Sequence, residues 1–443
     1  MSAKGDAGNA ATPAPVWKTA LRVAPFQVMG RMGEAFLPLF LAYWFGSTHE
    51  TDAYYLLASV SVLLSTLFFG IFVDSAMIPL SMELRALGED REARFLGGVL
   101  GFATAIGTVV ALLFYLGCVA LLPASFHRIA AAFTCGFYAI MLRTFFSAIA
   151  SASHDFVVPS ALTGFSSVVL VGAVYLFRHI GIVVVPVAVA CADALVAGLL
   201  YLRLKGSAVR VELNLVLTDD LRRLFRLFAS EAGGSAIARI NPVIDQNMAQ
   251  RFGPVGSVTS LKFAQDVAFV PVSLLQSSLL SVLLPKMSLL AVSRDLVALR
   301  KLVVRYVCIV VALLGTFAAL LHMVREPILR LVFLHGKMDV SSVEKMAPVF
   351  SAFLAGIAPF GVLMLLVRAH KSLQNNRILV PLGLLNAVLN VTFNFIALPR
   401  FGIAGIAWST TIVHTLLALL LAWLFRGLLE RHAATPVLNL TPP

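Results

Sequence analysis

Apolar residues in this 443-residue chain occur in long blocks that short polar segments separate. Each block is about twenty residues or longer, the length that an α-helix needs to cross the roughly 30 Å hydrocarbon core of a bilayer. The blocks do not alternate apolar and polar residues with a period of two, as the strands of a membrane barrel would. The pattern therefore predicts an all-α polytopic membrane protein.

A hydropathy window of about nineteen residues predicts twelve transmembrane spans. They cover residues 23–45, 54–81, 95–122, 128–152, 157–177, 181–203, 222–249, 258–291, 300–324, 345–369, 376–398 and 402–426. The seventh span is the least apolar, and the eighth is long enough to be tilted or broken.

The second half of the chain repeats features of the first. Residues 45–82 and 252–288 both open with Phe-Gly and close with a proline followed by a Ser/Met pair. Residues 154–182 and 375–403 share a proline and a terminal Gly-Ile. Six spans, an even number, separate the copies, so both halves have the same orientation, and such transporters place the substrate between the halves.

This repeat predicts two six-helix bundles with a central cavity. The predicted divisions are a disordered tail (1–20), an N-terminal bundle (21–205), a linker (206–221), a C-terminal bundle (222–428) and a second tail (429–443).

The distribution of charged residues predicts how the chain is oriented in the membrane. Only 13% of the residues are charged, against about 25% in soluble proteins, yet the formal net charge is +12. With the N-terminus inside, 22 of the 34 Lys and Arg residues fall on cytoplasmic loops and tails, 8 fall on the opposite side and 4 lie within spans. The positive-inside rule then predicts that both termini are cytoplasmic. Because topology explains the net charge, no nucleic-acid partner is expected.

Two arginines inside the membrane stand at equivalent places in the repeat. Arg31 precedes its Phe-Gly by 14 residues, and Arg239 precedes the second Phe-Gly by 13. Charges within spans usually mark functional surfaces, and a guanidinium can bind phosphate oxygens in pairs. Glu34 lies three residues after Arg31 on the same helix face, so a structural ion pair is the alternative to a cavity role.

Other polar residues within the spans extend the candidate site. Lys262 and Asp266 form an i,i+4 pair that either lines the cavity or neutralises itself. Asn386 and Asn390, with Asn394, form a four-spaced stripe for sugar contact or for hydrogen bonds between helices. The predicted cavity residues are Arg31, Glu34, Glu231, Arg239, Lys262, Asp266, Asn386 and Asn390, and the candidates for ion coupling or gating are Asp52, Asp74 and Asp245. Arg143 and Asp193 are buried charges that snorkel or pair with each other.

Enzymatic motifs do not occur in the chain. It has no GxxxxGK phosphate loop, no GxSxG elbow and no HExxH pair, and its histidines show no ligand spacing. The sequence therefore predicts a transporter without catalytic residues, resident metal or cofactor. Transport would draw on an ion gradient, with H⁺ or Na⁺ as a possible coupling cation, or on the membrane potential.

Three segments carry a family resemblance. "GRMGEAFLPLFLAYWFGSTHETDAYY" (30–55), residues 239–288 and residues 366–411 resemble the MurJ-type lipid flippases of the multidrug/oligosaccharidyl-lipid/polysaccharide (MOP) superfamily, whose fold MATE exporters share. The resemblance implies two bundles forming a V and the flipping of undecaprenyl-pyrophosphate-linked sugars. Arg31 and Asp52 match family positions. Three positions at which the family carries arginine hold Leu37, Ser65 and Asp266, and two C-terminal spans common in the family have no counterpart.

The resulting hypothesis is a flippase of the bacterial inner membrane, acting as a monomer on lipid II or a related polysaccharide lipid. Its expected partners are this substrate, membrane lipids and envelope-synthesis enzymes. Two alternatives stay open: a MATE-like exporter of cationic drugs, and a non-transporting scaffold for a polysaccharide synthase.

Overall fold

The computed structural model describes residues 16–70, 77–153, 155, 157–205, 211 and 214–434. These residues form sixteen α-helices. The helices of the first half are α1 (Val16–Phe45), α2 (His49–Ser65), α3 (Ile78–Leu87), α4 (Glu89–Leu121), α5 (His127–Ala152), α6 (Val157–Phe177) and α7 (Val184–Lys205). The helices of the second half are α8 (Asp219–Phe252), α9 (Ser257–Ala268), α10 (Val270–Leu275), α11 (Ser281–Val292), α12 (Leu296–Met323), α13 (Arg325–Phe333), α14 (Val340–Ser372), α15 (Leu379–Phe401) and α16 (Ile403–Ala434).

The all-α membrane fold is confirmed. Within the described part of the chain, nine helical stretches are long and apolar enough to cross a membrane, and they coincide with predicted spans two to six and nine to twelve. Spans one, seven and eight correspond to α1, α8 and the α9–α11 segment. These three carry the charged residues of the predicted cavity.

Span eight is broken, which was one of the two possibilities that its length left open. Helix α9 ends at Ala268, and α10 begins one residue after Phe269 with Pro271 in its first turn. Proline has no N–H to continue the helical ladder and its ring crowds the preceding turn, so the helix is interrupted there. A π-helical turn, Gln276–Leu280, then joins α10 to α11. Its counterpart in the first half is the π-helical turn Thr66–Gly70 after α2.

The helices pack in two groups that follow the repeat. In the first half α5 packs on α7, and α6 packs on both α1 and α7. In the second half α14 packs on α9, α12 and α16, while α15 packs on α16. Small residues permit the closest approaches, as where Gly356 of α14 meets Thr411 of α16.

The two ends of the molecule are distinguished by the turns that they carry. The junction face carries the α1–α2 turn (46–48) and the α8–α9 turn (253–256). The linker face, at the opposite end, carries the α3–α4 turn and residues 214–218 before α8.

Helix α8 belongs to both groups. At the linker face its first turns bind the first half, because Arg91 Nε and Nη2 donate to the Asp220 carboxylate at 3.0 and 2.9 Å and Arg223 Nη1 lies 2.8 Å from Glu83 Oε1. Further along, α8 packs on α15 and α2. The helix therefore crosses between the halves and is fixed to both.

Candidate functional site

The two halves are joined at the junction face by one buried carboxylate. Asp52 lies in the first turn of α2 and is 2% exposed. Its Oδ2 accepts the Gly256 N–H at 2.6 Å, and its Oδ1 accepts the N–H and the hydroxyl of Thr259 at 2.8 and 2.6 Å. A carboxylate at this position satisfies free N–H groups at the start of α9 and complements the helix dipole. Asp52 is thus a cap for a helix in the other half.

The partners of Asp52 follow from the repeat. Phe45 and Phe252 open the two copies, so Asp52 and Thr259 are equivalent positions, each seven residues further on. Equivalent residues meet when they lie on the axis that relates the halves. Sequence reasoning identified Asp52 but missed Thr259 and Gly256, although the repeat offset was the signal that could have found them.

Neighbouring contacts close the same face. Ser47 Oγ donates to the Gly256 carbonyl at 3.2 Å, and the Tyr55 and Phe263 rings meet edge to face at 5.5 Å. Gly256 has a φ of +88°, which favours glycine, and a Cβ there would collide with the Ser47 hydroxyl. The junction face is therefore closed in this structure.

A second polar cluster joins α8 to α15 and α16. Asn394 Nδ2 donates to Asp245 Oδ1 at 2.7 Å and to Asn390 Oδ1 at 3.1 Å. The Thr410 hydroxyl lies 3.5 Å from Asp245 Oδ2. Asn394 Oδ1 and Asn390 Nδ2 are buried with no hydrogen-bond partner among the described residues. Such orphans are costly, so the cluster is incompletely satisfied as it stands.

The cluster has the chemistry of a cation site. Its carboxylate, amide and hydroxyl oxygens are hard donors of the kind that prefer hard cations. Rotation of the Asn394 amide by 180° would exchange its Nδ2 and Oδ1. The Asn394 Oδ1 and the Asp245 carboxylate could then both face one bound cation. The described residues contain no group of three or more His, Cys, Asp or Glu side chains placed to hold a metal ion. With Asp245 as its only carboxylate, the cluster suits one positive charge better than two.

The asparagine stripe lies in helix packing. Asn390 is 1% exposed and belongs to the Asp245 cluster, while Asn241 Nδ2 of α8 donates to Asn386 Oδ1 at 3.0 Å. Asn390 is thus buried, and its Oδ1 accepts from Asn394 of the same helix. The Asn241–Asn386 bond agrees with the alternative of hydrogen bonds between helices, which satisfy polar groups that hydrocarbon cannot. Sugar contact by the stripe stays a prediction.

The structure describes the side chains of only some of the remaining predicted charged residues. Lys262 and Asp266 form the expected i,i+4 ion pair on α9. Arg143 and Asp193 also pair, at 2.8 Å, and connect α5 to α7. The side chains of Arg31, Glu34, Glu231 and Arg239 lie outside the described residues, although their backbones belong to α1 and α8, and Asp74 lies outside them altogether. Binding of phosphate by Arg31 and Arg239, called the phosphate clamp below, therefore stays a prediction.

An apolar cavity of about 1120 Å³ lies between α1, α6 and the end of α13. Gly33, Phe36 and Tyr43 of α1 form one wall, and Val168 and Tyr175 of α6 form another. Almost all of its lining is apolar or aromatic, so it suits a hydrocarbon chain.

Comparison with known proteins identifies the family. The family model "Lipid II flippase MurJ" matches residues 41–436. The chain belongs to this family. The lipid II flippase MurJ of Burkholderia cenocepacia is 24% identical over 448 residues, covering 95% of this chain and 85% of that protein. The probable lipid II flippase MurJ of Haemophilus influenzae is 25% identical over 216 residues, covering 47% of this chain but only 41% of that protein.

Solved structures confirm the MOP-superfamily fold. A MurJ structure in an inward closed conformation superposes with a TM-score of 0.76 at 18% identity, covering 94% of this chain and 91% of that one. An inward-facing multidrug resistance MATE transporter of the MOP superfamily gives 0.71 at 11% identity, covering 94% of this chain and all of that one. The fold is common to both groups, so the family match is what separates them.

Replacement of Asp52 tests the junction. Asp52→Ala removes the acceptor for three hydrogen bonds and strands the buried Gly256 and Thr259 N–H groups, each at about 1–3 kcal/mol. We expect the closed junction to be destabilised by at least about 1 kcal/mol, the cost of one stranded N–H group. Spin labels on α2 and α9 should then report longer distances between the halves. Ser47→Ala, which removes one hydrogen bond at the same face, is the matched control and should stay closed. An Asp52→Ala protein with unchanged distances would show that the carboxylate does not hold the halves together.

Proposed function

We propose that this chain flips lipid II, or a closely related undecaprenyl-pyrophosphate-linked sugar, across the bacterial inner membrane by alternating access. The observation that carries the proposal is the family match over residues 41–436, because the fold alone is shared with MATE exporters. The apolar cavity beside α1 supports it, since a polyprenyl tail needs a long hydrocarbon surface whereas a compact cation does not.

The junction provides one of the two gates. Rigid bundles that meet through a few hydrogen bonds can separate there without disturbing their own cores, as rocking domains do. Opening the junction would break the cap of Asp52 on α9 and free the central space toward that face. We infer that the closed junction is the state in which substrate enters from the opposite face.

The pyrophosphate would bind to the symmetry-related arginines of α1 and α8. Of the other family arginine positions, Leu37 and Ser65 carry no charge, and Asp266 pairs with Lys262. Because Asp266 already balances Lys262, the lysine is a weak substitute for a missing arginine. Arg31 and Arg239 would therefore contribute more of the phosphate binding here than in a relative with the full set.

A flipping assay with Arg31 variants tests this function. Purified protein in liposomes should move a fluorescent undecaprenyl-pyrophosphate-linked sugar between leaflets without ATP, measured by protection from an impermeant quencher. Arg31→Ala should abolish flipping with normal protein levels, and Arg31→Lys should recover only part, because an ammonium lacks the planar fork of a guanidinium.

The control is the double replacement Arg31→Met with Glu34→Leu. A structural Arg31–Glu34 ion pair would tolerate this apolar pair. Full flipping by the double variant would contradict the phosphate clamp. Transport of a cationic dye without flipping of the lipid would favour the MATE-like alternative.

The junction face is proposed to be the outer face. The 22-to-8 distribution of basic residues supports this orientation, since the linker face then lies in the cytoplasm with both termini. Reporter fusions at residues 48 and 400 should report outside, and a fusion at residue 435 should report inside. An outside signal from residue 435 would overturn the orientation.

The Asp245 cluster is proposed to bind the coupling cation, H⁺ or Na⁺. Asp245→Asn keeps the size of the side chain and its hydrogen-bonding capacity to Asn394 but removes the charge, so the protein should fold. We expect flipping to lose its response to an imposed Na⁺ or H⁺ gradient, while Thr415→Ala, a hydroxyl deletion on α16 away from the cluster, retains it. A gradient response that Asp245→Asn leaves intact would exclude this site from coupling.

A further inference from the structure

A second groove runs along the boundary between the halves, on the side formed by α2, α4 and α8. Its volume is about 700 Å³, within the range of small-molecule sites. The walls are apolar: Val60 and Leu64 belong to α2, and Val110, Leu113 and Phe114 belong to α4. At one end the π-helical turn contributes Phe68. The groove is separate from the cavity between α1 and α6.

The end of the groove at the junction face is polar. Asn247, Gln250 and Arg251 of α8 line it together with His49 of α2. Arg251 belongs to the last turn of α8, is exposed, and takes part in none of the ion pairs found among the described residues. Among the described residues that line the groove none is a carboxylate, so the positive charge of Arg251 has no opposite charge in this lining.

Gln250 sets a second requirement for a ligand that binds in the groove. Its Oε1 is buried and has no hydrogen-bond partner among the described residues. A buried acceptor without a partner costs free energy, and a hydroxyl group from a ligand would satisfy it. The occupant therefore needs an anionic group for Arg251, a hydroxyl for Gln250 and an apolar tail for α2 and α4.

We propose that this groove binds a hydroxyl-bearing anionic phospholipid of the phosphatidylglycerol type. The phosphate lies at Arg251, the glycerol headgroup reaches Gln250, and one acyl chain runs between α2 and α4 toward Phe68. Because α2 and α8 belong to opposite halves, the bound lipid contacts both and stabilises the closed junction. This site does not depend on the identity of the transported substrate.

Gly117 shows that the groove can be filled without strain. A Cβ at this position would have nothing within 4 Å, so Gly117→Leu is expected to fold and to occupy the space of the acyl chain. Arg251→Gln removes the charge from an exposed side chain that has no described ion pair. The two variants separate the tail contact from the headgroup contact.

Quenching by brominated lipids tests the site in the full-length protein. A tryptophan replaces Leu113, which lines the groove and is 64% exposed, and a matched control replaces Leu116, which is 52% exposed on the same helix but does not line it. The Leu113→Trp signal should be half-quenched at about fivefold lower mole fraction of brominated phosphatidylglycerol than of brominated phosphatidylcholine, the factor expected for one basic residue near an anionic lipid. Leu116→Trp should show no preference.

Each variant has a defined outcome. Arg251→Gln should remove the preference at residue 113, and Gly117→Leu should reduce quenching there to the level of the control. Equal quenching at both positions would mean ordinary annular lipid and would overturn the proposal, as would a preference that Arg251→Gln leaves intact. Displacement of phosphatidylglycerol by a small mole fraction of undecaprenyl phosphate would overturn the phospholipid assignment. Flipping is not part of the readout, so failure here leaves the transport function untouched.

Discussion

The carboxylate of Asp52 connects the two halves by capping a helix that is not its own. A buried charge within a membrane protein is expensive unless other groups satisfy it, and here two backbone N–H groups and a hydroxyl do so. Its main partner, Thr259, is the equivalent residue of the other half. Two carboxylates that meet on a symmetry axis repel each other unless they share a proton. Here one position holds the acceptor Asp52 and the other holds the donor Thr259, so the contact needs no shared proton.

Helix α8 connects this junction to contacts in both halves. Arg91 and Glu83 hold its first turns to the first half at the linker face, while Asp245 anchors its second portion to α15 and α16. The same helix ends at the turn that presents Gly256 to Asp52. A change at the Asp245 cluster can therefore reach the junction along one helix. The groove proposed for the phospholipid is lined by the end of that helix too, so a lipid bound there would lie next to the same contact.

Hydropathy was sufficient to predict the class and most of the spans, because the cost of exposing polar backbone to lipid leaves few solutions. It could not assign individual polar residues. Asn390 is compatible with sugar contact or with helix packing at the same spacing, and nothing in its own segment indicates that it lies beside Asn394 and Asp245. Thr259 has no distinguishing feature in its own segment. Its role arises from a partner that is 207 residues away in the chain, which the repeat offset could have indicated.

Six charged residues within the helices, all at least half-buried, fall into two kinds with different consequences. Arg143 and Asp193 neutralise each other, as do Lys262 and Asp266, so neither pair needs an ion from outside and both suit bracing of helices. Asp52 and Asp245 instead bind neutral donors, which satisfy a carboxylate geometrically, and neither forms an ion pair with another described residue. A proton or a monovalent cation can change the balance at such a group, whereas it gains little at a closed ion pair. This difference is why the coupling site is proposed at Asp245 of α8 and the gate at Asp52 of α2, whereas the ion pairs are not proposed for either role.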